Sequence, residues 1–119
     1  MVNDNSIYYS DEHILLRKTV REFAQNELAP LAIEIDNKGI FPLESIKKLS
    51  DLGLMGIPWD PDYGGGGMDM LSLVITIEEL AKVCVSTAAT LMAHTSLGTG
   101  PFSYFGTDEQ KKKYLTKLA

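Results

Sequence analysis

Five side chains have the chemistry most often used in catalysis or metal binding: His13, His94, Cys84, Glu78 and Glu79. Neither histidine has a second His or Cys at ligand spacing, so the sequence predicts no metal site. Adjacent helical residues point about 100° apart, so the two glutamates cannot face each other as an acid–base pair. We expect at least one of them on a helix surface, and no catalytic residue is assigned.

Cys84 is the only cysteine, which rules out an internal disulfide. It falls on the apolar stripe predicted for a helix, where a thiol usually behaves as a small buried hydrophobic group. The pattern shows no helix start or neighbouring cation that would lower its pKa. We therefore expect a packing role and no nucleophile.

Four consecutive glycines, Gly64 to Gly67, are a candidate phosphate cradle, because glycine backbones can approach an anion closely. A nucleotide-binding loop also needs a preceding strand and spaced glycines, or a following Lys-Ser/Thr pair. Here the run follows a proline-containing segment and precedes Met68 and Asp69. The sequence favours a structural turn.

Small residues are concentrated between Ala88 and Gly100. Such residues either let a neighbouring helix pack closely or leave a groove for an apolar ligand chain. Positions 89, 93 and 97 recur every four residues and position 90 lies between their rows, so they share one side of a helix. The pattern alone leaves both alternatives open.

The elements that position these side chains are predicted to be helices, because apolar residues recur at three- and four-residue steps. The first helix begins at Ser10, kinks or restarts at Pro30, which lacks an amide donor, and stops near Gly39. A second, short helix begins at Pro42 and stops at Gly53.

Prolines and glycines exclude both helix and central strand from residues 57–67, which we predict to be a loop. Three helices follow: one whose apolar stripe reaches Cys84, one that ends in residues 98–101, and one that continues to Ala119. Their predicted capping residues are Asp69, then Ser86 or Thr87, then Thr107 with Gln110. The sequence thus predicts an all-α fold, an up-down bundle of about four to six helices.

Composition limits the function classes. The 119 residues, 45% hydrophobic and 23% charged, fit one soluble globular domain. A net charge of −5 disfavours nucleic acid and anionic membranes as partners. The most apolar stretch, Leu71 to Ile77, is too short to span a bilayer, and no secretory signal opens the chain. We expect a cytoplasmic protein.

Several motifs occur together in a distinctive order and spacing. They are Val20-Arg21-Glu22-Phe23-Ala24 before Pro30, Leu52-Gly53-Leu54-Met55-Gly56, Pro61-Asp62-Tyr63-Gly64-Gly65, Glu78-Glu79-Leu80-Ala81, His94-Thr95-Ser96-Leu97-Gly98 and Phe105-Gly106-Thr107-Asp108-Glu109-Gln110-Lys111. Together they resemble the amino-terminal helical domain of the acyl-CoA dehydrogenase family, from about Tyr9 to Ala119, and are most similar to bacterial short-chain, butyryl-type members.

The resemblance implies that residues 1–119 are one domain of an FAD-dependent enzyme that oxidises an acyl-CoA. The family's middle β-domain and second helical domain, which carry most flavin contacts and the catalytic glutamate, are absent from this sequence. The resemblance also implies an electron-transfer flavoprotein as partner and a homo-oligomer, a tetramer when full-length. The domain alone is expected to be inactive and to hold no FAD.

The resemblance also implies roles for individual residues. Positions matching Ala89, Thr90, Ala93 and Leu97 line the acyl cavity of family members, and positions matching Leu16 and Leu54 form the recess that receives the electron-transfer flavoprotein. Two alternatives to the dehydrogenase domain remain open at this point: a freestanding, non-catalytic helical interaction module, and a domain of an oxidase-like relative that uses oxygen as electron acceptor.

Overall fold

The computed structural model describes residues 7–119, which form five continuous helical segments and contain no strand. This architecture confirms the predicted all-α fold. The α-helices are α1 Asp11–Phe23, α2 Ala29–Lys38, α3 Leu43–Asp51, α4 Met70–Ala81, α5 Val85–Ala93, α6 Gly100–Phe105, α7 Asp108–Gln110 and α8 Thr116–Leu118.

Most of the predicted helix ends are confirmed. Ser10 and His13 form a capping box at the start of α1, and Gly39 ends α2 in the left-handed conformation that glycine favours. Asp69 caps α4 by accepting a hydrogen bond from the Ser72 amide. Thr107 and Gln110 form the predicted capping box.

Three wide π-helical turns join consecutive α-helices into continuous segments: Ala24–Leu28, His94–Thr99 and Lys111–Leu115. In the first two, an amide bonds the carbonyl five residues earlier, and a proline, Pro30 or Pro101, is the second residue after the turn. Proline clashes with the carbonyl four residues before it, and a widened turn gives that carbonyl room. The predicted helix end at residues 98–101 is therefore wrong, since the helix continues to Phe105.

The predicted start of the fourth helix, at Ser86 or Thr87, is also wrong. Neither Ser86 nor Thr87 caps it, because α5 begins at Val85 and Cys84 occupies the N-cap position. Helix α4 has already ended at Ala81, so Cys84 lies outside the helix to which its spacing assigned it. The turn between α4 and α5 is short, which brings these two helices against each other.

The loop of residues 57–67 is confirmed, and it contains a short 3₁₀ turn, Pro61–Tyr63. All four amides of the run from Gly64 to Gly67 donate to nearby carbonyls that precede the run, those of Pro61, Asp60, Gly56 and Trp59. A side chain at Gly65 would begin 2.1 Å from the carbonyl oxygen of Trp59, so the chain can fold back over Trp59 only with glycine there. This supports the structural turn predicted for the run.

The core lies where α1 packs on α4 and α4 packs on α5. Its buried residues come from α1 and the turn after it, from α3, α4 and α5, from residues 54–57 and from the turn between α4 and α5: Val20, Ala24, Leu28, Leu49, Leu54, Met55, Ile57, Leu73, Leu80, Cys84, Ala88 and Leu91. The domain is a slab of 41 × 40 × 19 Å, and no helix in the described range is long and apolar enough to cross a membrane. A slab leaves large faces uncovered.

Candidate functional site

The residues predicted to contact an acyl chain share one outward side of the helical segment 85–105. Ala89, Ala93 and Leu97 are exposed, Leu97 at 78%, and Thr90 is half-buried. The opposite side of the same segment carries the buried residues Ala88, Leu91 and Thr95. The helix is therefore mostly apolar on its uncovered side as well as on its buried side.

The hydroxyl of Thr90 adds little polarity to this face. It donates to the Ser86 carbonyl at 2.8 Å, within the helix. Thr90 and Ser86 also line an open cavity of about 370 Å³ that continues to the turn between α2 and α3, where Ile40 and Phe41 lie. The face thus adjoins a concavity, which a helix packed tightly against a neighbour would not.

Leu16 and Leu54, predicted to form a docking recess, line the same groove although they are far apart in sequence. The groove measures about 520 Å³; Leu54 forms part of its buried floor at 5% exposure and Leu15 is an exposed neighbour. Its other wall is the end of the loop of residues 57–67 (the glycine loop), Gly66 and Gly67, together with Met68. The structure thus supplies a wall that the sequence pattern did not indicate.

Glu78 and Glu79 occupy opposite environments, as their adjacent positions predict. Glu79 is 2% exposed and accepts hydrogen bonds from Arg17 at 2.7 Å, Arg21 at 3.0 Å and Lys82 at 2.8 Å. Burial alone would raise the pKa of Glu79, but the hydrogen bonds from Arg21, Lys82 and Arg17 lower it to about 2. A carboxylate held by three cations is a structural anchor and a poor general base.

Cys84 is buried, as expected, but its setting differs from the predicted one. Its sulfur accepts a hydrogen bond from the Thr87 hydroxyl at 3.2 Å and lies 3.6 Å from the Ser86 hydroxyl, at the start of α5. Burial opposes ionisation, yet these hydrogen bonds leave the pKa of the thiol below its usual range. The expectation that no helix start lies beside Cys84 is therefore wrong.

The two histidines make separate structural contacts. His13 Nε2 lies 2.9 Å from both carboxylate oxygens of Asp69, so it joins the starts of α1 and α4. The hydrogen bond from His13 is the main reason that the pKa of Asp69 falls to about 2. His94 bonds the carbonyl of Leu118 at 2.8 Å. Within residues 7–119, no group of three or more metal-ligating side chains is assembled.

Sequence reasoning missed one buried pair beside the predicted acyl face. The indole nitrogen of Trp59 donates to the hydroxyl of Thr99 at 2.7 Å, across 40 residues of sequence. Trp59 is the only tryptophan in the chain, and a buried indole nitrogen needs a hydrogen-bond acceptor. That requirement was the available signal, but it does not indicate which acceptor is used.

Comparison with known proteins decides the family. The sequence profile of the acyl-CoA dehydrogenase N-terminal domain matches residues 10–119, nearly the whole chain. This chain belongs to the acyl-CoA dehydrogenase family.

Among family members, the short-chain specific acyl-CoA dehydrogenase of Clostridium acetobutylicum is 52% identical over 108 residues, which are 91% of this chain and 28% of that protein. The structure of butyryl-CoA dehydrogenase from Megasphaera elsdenii has a TM-score of 0.88 and 38% identity, over 95% of this chain and 30% of that one.

A chain from a structure of the electron transferring flavoprotein of Acidaminococcus fermentans gives a TM-score of 0.91 and 38% identity, over 96% of this chain and 30% of that one. The acyl-CoA dehydrogenase domain described here thus spans under a third of the length of these relatives.

Proposed function

We propose that this chain is the N-terminal domain of an FAD-dependent acyl-CoA dehydrogenase that oxidises the α,β bond of a short-chain acyl-CoA. We expect the domain on its own to be inactive, since Glu79, the most buried carboxylate of the described residues, is held by Arg17, Arg21 and Lys82 and is a poor general base. The family match and the names of the short-chain and butyryl-CoA relatives support this proposal. The full-length enzyme is proposed to be a homo-oligomer, a tetramer.

The observation that carries the proposal is the uncovered apolar face of segment 85–105. Ala89, Thr90, Ala93 and Leu97 form one wall of the acyl pocket, against which the alkyl part of the substrate lies. Alanine side chains leave space for such a chain, and Leu97 adds apolar surface without charge. The adjoining cavity beside Thr90 gives the wall its concave neighbour.

The glycine-rich run of residues 64–67 does not fit the phosphates of FAD. Its amides are bonded to carbonyls of the preceding residues 56–61, and Gly65 is packed on Trp59, so no backbone donors remain there for a phosphate. FAD is proposed as a cofactor of the whole enzyme that this run does not hold. This domain contributes shape and apolar surface.

The groove at Leu16 and Leu54 is proposed to receive an apolar side chain of the electron-transfer flavoprotein. It has an apolar floor and is open to the surface, as a docking recess requires. The electron transferring flavoprotein structure that contains a similar chain is consistent with such a partner.

The pocket-wall proposal is tested by Ala93→Phe in the full-length enzyme. The added ring fills space on the wall, so KM rises for longer acyl chains while kcat for the shortest substrate is kept. Ala29→Phe is the control, because Ala29 is exposed on α2, outside this face. A chain-length profile that is the same in both variants would remove segment 85–105 from the pocket.

The docking proposal is tested by Leu16→Asp, which places a charge in the apolar groove. Electron transfer to the electron-transfer flavoprotein should slow about tenfold or more, while turnover with a small artificial acceptor is unchanged. Val74→Asp, at an exposed apolar position of α4 outside the groove, should leave both rates unchanged. Equal loss with both acceptors in Leu16→Asp would contradict the docking role.

A further inference from the structure

The hydrogen bond between Trp59 and Thr99 joins the glycine loop to the helix that carries the proposed acyl wall. Trp59 Nε1 donates to Thr99 Oγ1 at 2.7 Å, and both residues are buried. Thr99 is the last residue of the wide turn His94–Thr99, and the same turn contains Leu97. A contact at Thr99 therefore acts on the turn from which Leu97 projects.

The hydroxyl of Thr99 also binds the turn itself. It lies 3.1 Å from the carbonyl oxygen of Thr95 and 3.2 Å from that of His94, and it donates its single proton toward them. Because it accepts from Trp59, its own proton is directed to the turn. Pro101 follows this turn and lacks an amide donor, so the Thr99 hydroxyl and the Trp59 indole stabilise the helix next to the point where a backbone hydrogen bond is missing.

Trp59 is itself held in place by several contacts. Its carbonyl accepts from the Gly67 amide at 2.9 Å, and its amide donates to the Gly56 carbonyl at 3.1 Å. The ring of Tyr104 packs edge to face on the indole, with centroids 5.5 Å apart. The indole is therefore held by the glycine loop on one side and by α6 on the other.

We propose that Trp59 and Thr99 are positioning residues for the acyl wall: their hydrogen bond fixes the wide turn of residues 94–99, and with it Leu97, against the loop of residues 57–67. This inference rests on the proposed function. Without that hydrogen bond, the end of the segment that carries Ala93 and Leu97 is no longer tied to the loop, so the position of the wall relative to the substrate can change.

The test uses the full-length enzyme and acyl-CoA substrates of increasing length. Thr99→Val keeps the shape but removes the hydroxyl, and Trp59→Phe removes the donor. Each should change the ratio of kcat/KM between butyryl and octanoyl substrates about threefold to tenfold, the size expected for one lost buried hydrogen bond. Amide hydrogen exchange across residues 94–105 should accelerate in both variants. Thr99→Ser keeps the hydroxyl, so it should leave both the substrate ratio and the exchange rate as in the unmodified enzyme.

Thr76→Val is the matched control. Thr76 is equally buried and donates to the Ser72 carbonyl at 2.9 Å, but it lies in α4. It should lower stability without changing the substrate ratio. If Ala93→Phe changes the chain-length profile and Thr99→Val behaves like Thr76→Val, the positioning role is refuted and the proposed function stands. If Ala93→Phe has no effect, the wall assignment fails, and the positioning role with it.

Discussion

At the scale of single residues, the pairing of Arg17 with Glu79 is the most consequential contact that does not belong to the apolar core. Both side chains are almost fully buried, and they join α1 to α4 at 2.7 Å. The Tyr9 ring, 5.0 Å from the guanidinium carbon, covers the same arginine. Removing one partner of a buried ion pair leaves the other charge uncompensated, which costs more than the pair itself contributes.

We therefore expect Glu79→Gln to lower the free energy of unfolding by about 3 kcal/mol at neutral pH. Glu78→Gln is the matched control, because Glu78 also contacts Arg17, at 2.8 Å, but is 42% exposed. Its effect should be below about 1 kcal/mol. Urea unfolding measures both values, and equal losses would show that burial does not distinguish the two glutamates.

Glu79 also makes the free energy of unfolding depend on pH. The pKa of Glu79 is lowered from 4.5 to about 2, so its ion pairs stabilise the fold fully above about pH 4.5 and are lost as the pH falls toward 2. Stability measured across this range should fall more steeply in the unmodified protein than in Glu79→Gln. Some fall remains in the variant, because the pKa of Asp69 is also lowered to about 2. Parallel curves would contradict this account.

Part of this chemistry could be predicted from the sequence. The opposite environments of Glu78 and Glu79 follow from helical geometry alone. The burial of Arg17 does not, since an arginine on a helix is normally solvated and its partners here lie 61 and 62 residues away in sequence. Long-range pairing of this kind leaves no local pattern.

At the scale of elements, the helix starts capped by polar side chains were predictable and the wide turns were not. Ser10, Asp69 and Thr107 mark their helices because each side chain bonds a nearby amide. A π-helical turn has no comparable local signal, and Pro101 indicates a helix end in sequence. The helix continues because the turn before the proline is widened. Cys84 was misplaced for a related reason, since apolar spacing continued beyond the end of α4.

The glycine loop gives the prediction at this scale. Gly65→Ala would place a methyl carbon 2.1 Å from the Trp59 carbonyl oxygen, so the loop must move, and stability should fall by about 2 kcal/mol or more. Gly98→Ala is the control, because its nearest neighbour would be 3.9 Å away and it should be tolerated. Thermal unfolding of both variants decides the point; a stable Gly65→Ala protein would contradict the packing described for the loop.

At the scale of the whole molecule, the domain is flatter than its length requires. Its radius of gyration is 14.7 Å, whereas a compact chain of this length is expected near about 13.5 Å. Large apolar side chains remain exposed, among them Leu97, Phe105, Ile33 and Val85. The sequence predicted one helical domain, but helical periodicity cannot show which apolar faces remain uncovered, because that depends on how the helices pack.

The uncovered faces predict self-association of the 119-residue chain on its own. Exposed apolar patches favour association when nothing covers them. Light scattering at increasing concentration should show a rising average mass, and Phe105→Ser, which removes a ring that is 87% exposed, should reduce it. An average mass that stays at the monomer value at high concentration would contradict the predicted self-association.

The proposed role of segment 85–105 as one wall of the acyl pocket has a direct structural test. A crystal structure of the full-length enzyme with a bound short-chain acyl-CoA measures this directly. We predict carbon atoms of the acyl chain within about 4.5 Å of Ala93 and Leu97, the distance of apolar contact. A structure in which other protein side chains cover Ala93 and Leu97, with the acyl chain elsewhere, would contradict the account.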